Sequence, residues 1–279
     1  MFAPDVLAEL LRLVGATLLL CALGQQWLGE SRPTPLTTAL AGTLLLALGS
    51  LALLLATTGP LARRLEEPWL PLTLEYLHMT RHGQALFTPL LPALYALLLL
   101  EGLRGVTAPR PRRALYAMLG ATLATIPALM AAGGHALGAP GGHPAMLALM
   151  VHLISALAWI ALVLCLLLRL ARGAPLGASL SRVGNLALAL VIGLLASGLL
   201  VAWWHGARPP LSSAYEELLL AKLGLLAAAL GAAAWNRFRE LPRPDGHERN
   251  LRRVLGLEAL LLLTLLPLAA WLARTPPPT

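Results

Sequence analysis

Histidine and methionine side chains gather in one stretch of this chain, from Gly133 to Trp159. The stretch reads as a short polar hinge followed by the first half of an apolar helix. His135 and His143 lie in the hinge, and His152 lies about two turns into the helix. Because an imidazole inside an apolar helix is costly in lipid, it indicates a functional site by default. Imidazole and thioether groups together favour a soft transition metal, with Cu(I) first.

The candidate ligands on this helix fall on two faces. His143, Met146 and Met150 form one stripe at the spacing i, i+3, i+7, whereas His152 shares the opposite face with Trp159. Polar groups in membrane spans prefer the interior of a bundle, so we expect the His152 face to point inward. The methionines fit metal ligation or simple packing, since methionine often fills gaps.

Three further histidines are candidate ligands. His78 and His82 are four residues apart and would share one face of a continuous helix, with Met79 beside them. His205 follows two tryptophans, so it could bind metal or anchor the chain at the membrane interface. The candidate metal ligands are His135, His152, His78, His82, His143 and His205.

The composition predicts an integral membrane protein. The 279 residues are 58% hydrophobic and 12% charged, whereas a soluble domain carries roughly 25% charged residues. Long apolar runs without two-residue alternation predict an all-α polytopic bundle of about eight transmembrane helices. The predicted spans cover 7–29, 36–58, 83–101, 113–132, 145–168, 183–204, 214–235 and 252–272. No hydrolytic or nucleotide-binding motif is present, and the chain is not expected to be an enzyme.

Arginine counts predict the orientation. The loops after the third, fifth and seventh spans are rich in arginine, whereas those after the fourth and sixth hold almost none. Arginine collects on the cytoplasmic side, so both termini are expected to be periplasmic. The net charge of +8 then needs no nucleic-acid partner. Cys21 and Cys165 lie inside apolar runs and are interpreted as inert core thiols.

Two charged residues lie inside predicted spans. Lys222 is about two turns into the seventh span, and Glu258 is about two turns into the eighth from its other end. Each is either a coupling or transport charge, or a structural residue whose charge reaches the interface. The different depths leave a direct ion pair between them open.

Five ordered segments resemble one family. They are GHA at 134–136, HLISALAW at 152–159, VIGLLASGLL at 191–200, AYEELLLAKLGLLAAALGAAAWNR at 214–237 and the final span that opens at a glutamate. On these residues the chain resembles the copper-resistance D (CopD) family of bacterial inner-membrane proteins, most strongly over 130–279. The whole chain, 1–279, is interpreted as a single CopD-like transmembrane domain. The chain departs from the family at Tyr215-Glu216 and at Trp159-Ile160-Ala161.

The resemblance implies copper import from the periplasm at the inner membrane, often with a small periplasmic copper-binding partner. It carries over His135, His152, Lys222 and Glu258 as matched positions. Two other functions stay open from the residues. One is a b-type haem protein with two axial histidines. The other is an assembly protein that delivers copper to another membrane enzyme without transporting it.

Overall fold

The computed structural model describes residues 3–28, 34–132, 142–173, 179–204, 214–240 and 248–275, and every regular element in these ranges is helical. The elements are α1 (Pro4–Trp27), α2 (Thr34–Leu65), α3 (Trp69–Met79), α4 (Arg81–Phe87), α5 (Leu90–Gly102), α6 (Pro109–Ala132), α7 (Gly142–Ala171), α8 (Ser179–Trp204), α9 (Ala214–Trp235), a π-helical segment (Asn236–Glu240) and α10 (Glu248–Leu272). The predicted all-α bundle is confirmed.

The described residues contain eight helical stretches long and apolar enough to cross a membrane. They are Pro4–Trp27, Pro35–Leu65, Arg81–Gly102, Pro109–Ala132, Gly142–Ala171, Arg182–Trp204, Ala214–Glu240 and Arg249–Leu272. A helix pairs its backbone N–H and C=O groups within itself. Lipid offers these groups no hydrogen-bond partners, so a helix is suited to cross the membrane. The predicted number of spans is therefore confirmed. The third span combines α4 and α5, and α3 occupies the connection before it.

Helices α1 and α2 pack at very short range through glycine. A Cβ atom added at Gly15 would lie 2.6 Å from the backbone nitrogen of Leu46, and one at Gly42 would lie 2.7 Å from the carbonyl oxygen of Gly15. Gly49 likewise faces the carbonyl oxygen of Ala8 at 2.7 Å. Small residues let two helix backbones approach closely where lipid supplies no hydrophobic driving force. Helices α1 and α2 are therefore closely packed, backbone against backbone, along this interface.

An ionic cluster ties the first and last spans together. The Glu9 carboxylate accepts hydrogen bonds from Arg12 at 3.0 Å and from Arg274 at 3.4 Å. Arg12 is only 5% exposed, and a buried charge is tolerated only when it is paired. The start of α1 and the end of α10 therefore lie on the same side of the bundle, as an even number of spans requires. This side is termed the Glu9 end.

The opposite side is termed the arginine end. Connections and helix ends there carry Arg104, Arg110, Arg112, Arg113, Arg169, Arg172, Arg182, Arg237, Arg239, Arg249, Arg252 and Arg253. Helix α7 runs between the two ends through the centre and packs against α1, α6, α8 and α10. Helix α8 packs on α7, and α9 packs on α10, but α8 and α9 share few contacts in the described structure. A cleft therefore separates α8 from α9.

Candidate functional site

His152 points into the bundle from α7, ten residues after the helix begins. Its Nδ1 lies 3.3 Å from the carbonyl oxygen of Leu194 and 3.5 Å from Oγ of Ser197, both on α8. A carbonyl oxygen can only accept, so this contact requires the proton on Nδ1 and leaves Nε2 with its lone pair. Gly198 permits the close approach of α8, because a Cβ there would lie 3.1 Å from the ring.

His152 and Lys222 line one small cavity. It measures about 80 Å³, and its remaining walls are apolar side chains of α1, α7, α8, α9 and α10. Lys222 stands eight residues into α9, about 12 Å from the Glu9 end of that helix at 1.5 Å per residue. The cavity thus places an imidazole and an amine together at similar depth below one membrane surface.

Glu258 belongs to a second polar group nearer the arginine end. Its Oε1 accepts a hydrogen bond from Nε1 of Trp159 at 3.1 Å, and its Oε2 accepts one from Nδ2 of Asn236 at 2.7 Å. Glu258 is 3% exposed, Asn236 4% and Trp159 1%. Three elements, α7, the π-helical segment and α10, are therefore joined by hydrogen bonds inside the membrane span.

The two charged residues do not meet. Glu258 is hydrogen-bonded to Trp159 and Asn236, whereas Lys222 lines the cavity of His152. A larger cavity of about 320 Å³ adjoins Glu258, and Trp159 borders both this cavity and the smaller one. The indole of Trp159 thus stands between two polar sites that the sequence placed at different depths.

The pair His78 and His82 does not share a continuous helix. Helix α3 ends at Met79, Thr80 is extended with φ −105° and ψ 139°, and α4 begins at Arg81. The expectation of a common helical face is therefore wrong, because Thr80 caps α4 by accepting from the amide of Gly83 at 2.9 Å. The role of either histidine in metal binding stays a prediction.

The surroundings of these two histidines differ. His78 is exposed, and so is Met79, at 79%. His82 is half-buried and contacts the ring of Tyr76 edge-on, with 6.3 Å between the ring centroids. Burial raises the pKa of the Tyr76 hydroxyl above its ordinary value. These groups face the surface near the Glu9 end.

The methionine stripe of α7 lies apart from His152, as expected from the spacing. His143 is exposed at the start of the helix, and Met146 and Met150 are half-buried. The opposite face is inward, since Trp159 is buried and His152 lines the cavity. That part of the prediction is confirmed.

His135 and His205 lie outside the described residues. Within the described ranges, no group of three or more His, Cys, Asp or Glu side chains is arranged to hold a metal ion. The histidines that can be placed are therefore spread between α3, α4 and two levels of α7. The metal ligands named from the sequence stay predictions, and His152 is the best positioned of them.

Sequence reasoning missed two polar residues. Asn236 lies inside a segment that resembles the family and carries no prediction of its own, yet it donates a hydrogen bond to Glu258 and leaves its own Oδ1 without a partner. Arg12 was not singled out, although a charge inside the first span with Glu9 three residues before it was a visible signal.

Comparison with known proteins identifies one family. Residues 177–272 match the family described as Copper resistance protein D. No curated protein and no solved structure matches the chain. The matched range includes Lys222 and Glu258 but begins after His135 and His152. The eight apolar helices describe a multi-pass membrane protein, and about a third of its chain is similar to the copper-resistance family. The resemblance to the CopD family is thereby confirmed over residues 177–272.

Proposed function

We propose that this protein carries copper across the bacterial inner membrane, from the periplasm to the cytoplasm, and that His152 is a ligand on the route. The observation that supports the proposal is the position of His152, an imidazole that lines a cavity inside an apolar bundle. A carbonyl oxygen fixes its Nδ1–H, as second-sphere partners of metal-binding histidines commonly do. Nε2 is then the nitrogen offered to Cu(I), which we favour over Cu(II).

Lys222 suits transport better than storage. When the Lys222 amine carries its proton, it weakens the binding of a cation in the same cavity, because like charges repel strongly where water is scarce. Conduction requires a site that binds an ion well enough to admit it and weakly enough to release it. Lys222 therefore keeps copper from being trapped at His152.

The route begins at the Glu9 end, which we assign to the periplasm from the arginine distribution. Exposed His78 and His143 stand on that side and are suited to receive copper from a periplasmic copper-binding partner. His82, His135 and His205 belong to the same proposed entry region. Glu258 lies beyond Trp159 and is proposed as the coupling charge nearer the cytoplasm.

Copper uptake by cells that express single variants tests the proposal. We expect His152→Ala to reduce uptake about tenfold or more, because the ligand inside the membrane is lost. Lys222→Met is expected to raise the copper content of the purified protein and to slow uptake. Val151→Ala changes a neighbouring side chain that is 46% exposed and serves as the matched control. Unchanged uptake with folded His152→Ala protein contradicts the role of His152.

Vesicles distinguish transport from delivery. Purified protein is reconstituted in vesicles that contain a copper-sensitive dye, and Cu(I) is added outside. Transport predicts a dye response that His152→Ala abolishes. Binding of the periplasmic copper-binding partner without a dye response indicates delivery of copper to another protein. A b-type haem with two axial histidines would need a second ligand beside His152. The histidines considered for that role, His135 and His205, lie outside the described residues, so a Soret band in the purified protein that is lost in His152→Ala is the test of this alternative.

A further inference from the structure

The cleft between α8 and α9 is a cavity inside the membrane span. Its volume of about 320 Å³ lies at the lower end of the range typical of ligand pockets. Val183, Ala187 and Val191 form the α8 wall, and Leu230 and Ala233 form the α9 wall. Since α8 and α9 share few contacts, the cleft stands next to the acyl chains of the bilayer.

One rim of this cleft is strongly basic. Arg237 lines the cavity and donates hydrogen bonds to the carbonyl oxygen of Gly184 at 2.6 Å and to Oδ1 of Asn185 at 3.3 Å. Both acceptors are neutral, so they hold the guanidinium in place without cancelling its charge. Arg182 is exposed at the start of the facing helix.

Two acids lie near this rim among the described side chains, and neither is paired with Arg237. Glu258 lines the same cleft, but its two carboxylate oxygens accept hydrogen bonds from Trp159 and Asn236. Glu240 is 3% exposed and accepts hydrogen bonds from Trp235 at 2.9 Å and from Asn250 at 2.7 Å. Arg239 lies over the Trp235 ring, with its guanidinium carbon 4.9 Å from the centroid. The rim therefore presents fixed positive charge directly beside an apolar cleft.

We propose that this cleft binds one anionic glycerophospholipid, with an acyl chain between α8 and α9 and its phosphate on Arg237. Basic pockets between transmembrane helices recognise the head groups of anionic lipids. A guanidinium matches phosphate geometry and can donate two parallel hydrogen bonds to it. The apolar walls fit a hydrocarbon chain, and a soluble anion would leave them empty. The proposal does not depend on copper transport.

Native mass spectrometry of the intact chain tests this site. The protein is extracted from nanodiscs that contain equal amounts of phosphatidylglycerol and phosphatidylcholine with the same acyl chains. We expect retained phosphatidylglycerol to exceed phosphatidylcholine about tenfold. Arg237→Gln is expected to bring the two lipids close to parity, because the phosphate loses its charged partner. Millimolar inorganic phosphate should not displace the lipid, which separates a lipid site from a free-anion site.

Matched control variants distinguish recognition of the lipid head group from accommodation of the lipid acyl chain. Arg249→Gln removes an exposed arginine of the same end that does not line the cleft, and it should leave the preference unchanged. Ala187→Phe fills the cleft and should abolish retention, whereas Ala228→Phe places the same ring on an exposed face of α9. If Ala187→Phe does not fold, Ala233→Phe replaces it. Equal retention of both lipids by the unmodified protein, or a preference that survives Arg237→Gln, overturns the proposal.

Discussion

The α1–α2 pair is closely packed, whereas the helices of the α8–α9 pair stand apart. Within an apolar 18-residue window of each span, 61% of the residues of α1 and 44% of those of α2 are buried, whereas the figures are 11% for α8 and 6% for α9. Glycines bring the backbones of α1 and α2 together, and few side chains on that interface carry chemistry. Helices α8 and α9 stand apart, and the cavities that hold Lys222 and Glu258 lie beside them. The dense pair is a support, and the open pair surrounds the space in which a ligand can sit.

Glycines of the two regions should respond differently to the same substitution. Gly15→Leu forces a side chain onto backbone atoms of Leu46 and Gly42, which cannot move aside. We expect a loss of about 3 kcal/mol, the upper part of the range for overpacked cores, or failure to fold. Gly224→Leu on α9 meets open space and should change stability little. Thermal unfolding in detergent measures both, and equal losses would remove the distinction between the regions.

The sequence predicted the fold better than the site. Spans of about 20 apolar residues determine a helical bundle almost by themselves, so the predicted number of spans is confirmed. The inward face of α7 followed from the positions of His152 and Trp159 on one side of a helix. Contacts between helices did not follow, because apolar sequence carries little information on which helices pack together. The hydrogen bonds from Trp159 and Asn236 to Glu258 therefore became visible only in the structure.

The local break at Thr80 shows a second limit. Spacing of four residues predicts a shared face only while the helix continues. Threonine is a good N-cap, and here it ends α3 and starts α4 between the two histidines. Thr80, a β-branched residue that often caps helices, lies between the two histidines and is a signal for this break. The four-residue spacing takes no account of it.

Substitution of Glu258 tests whether the stability of the region around α8 and α9 depends on the hydrogen bonds that Glu258 accepts. Glu258→Leu removes the acceptor for the Trp159 indole and for the Asn236 amide, and leaves both donors buried. We expect a loss of about 2 kcal/mol, which is within the cost of leaving buried donors unsatisfied. Altered Trp159 fluorescence should accompany it. Thr264→Leu at an exposed position of α10 is the matched control. Unchanged stability of Glu258→Leu would mean that packing alone holds α7, α9 and α10 together.

The contact between α1 of the dense pair and the central helix α7 gives the smallest expected effect. Cys165 donates to the carbonyl oxygen of Cys21 at 3.3 Å, and Cys21 donates to that of Ala161 at 3.6 Å. Serine can make the same hydrogen bonds, so the double variant Cys21→Ser, Cys165→Ser should lose less than about 1 kcal/mol. Both thiols are buried and should resist maleimide in the native protein. Copper content by mass spectrometry should not change, and a fall would make the thiols ligands.

The single indole shared by the two cavities has a consequence for the cell. A membrane that stores energy as a proton gradient cannot tolerate a continuous file of water through any of its proteins. With its side chain almost wholly enclosed and its N–H occupied by Glu258, Trp159 interrupts such a file between the Lys222 and Glu258 levels. On the route proposed above, an ion that passes from the Lys222 level to the Glu258 level meets this ring, which would then have to move aside.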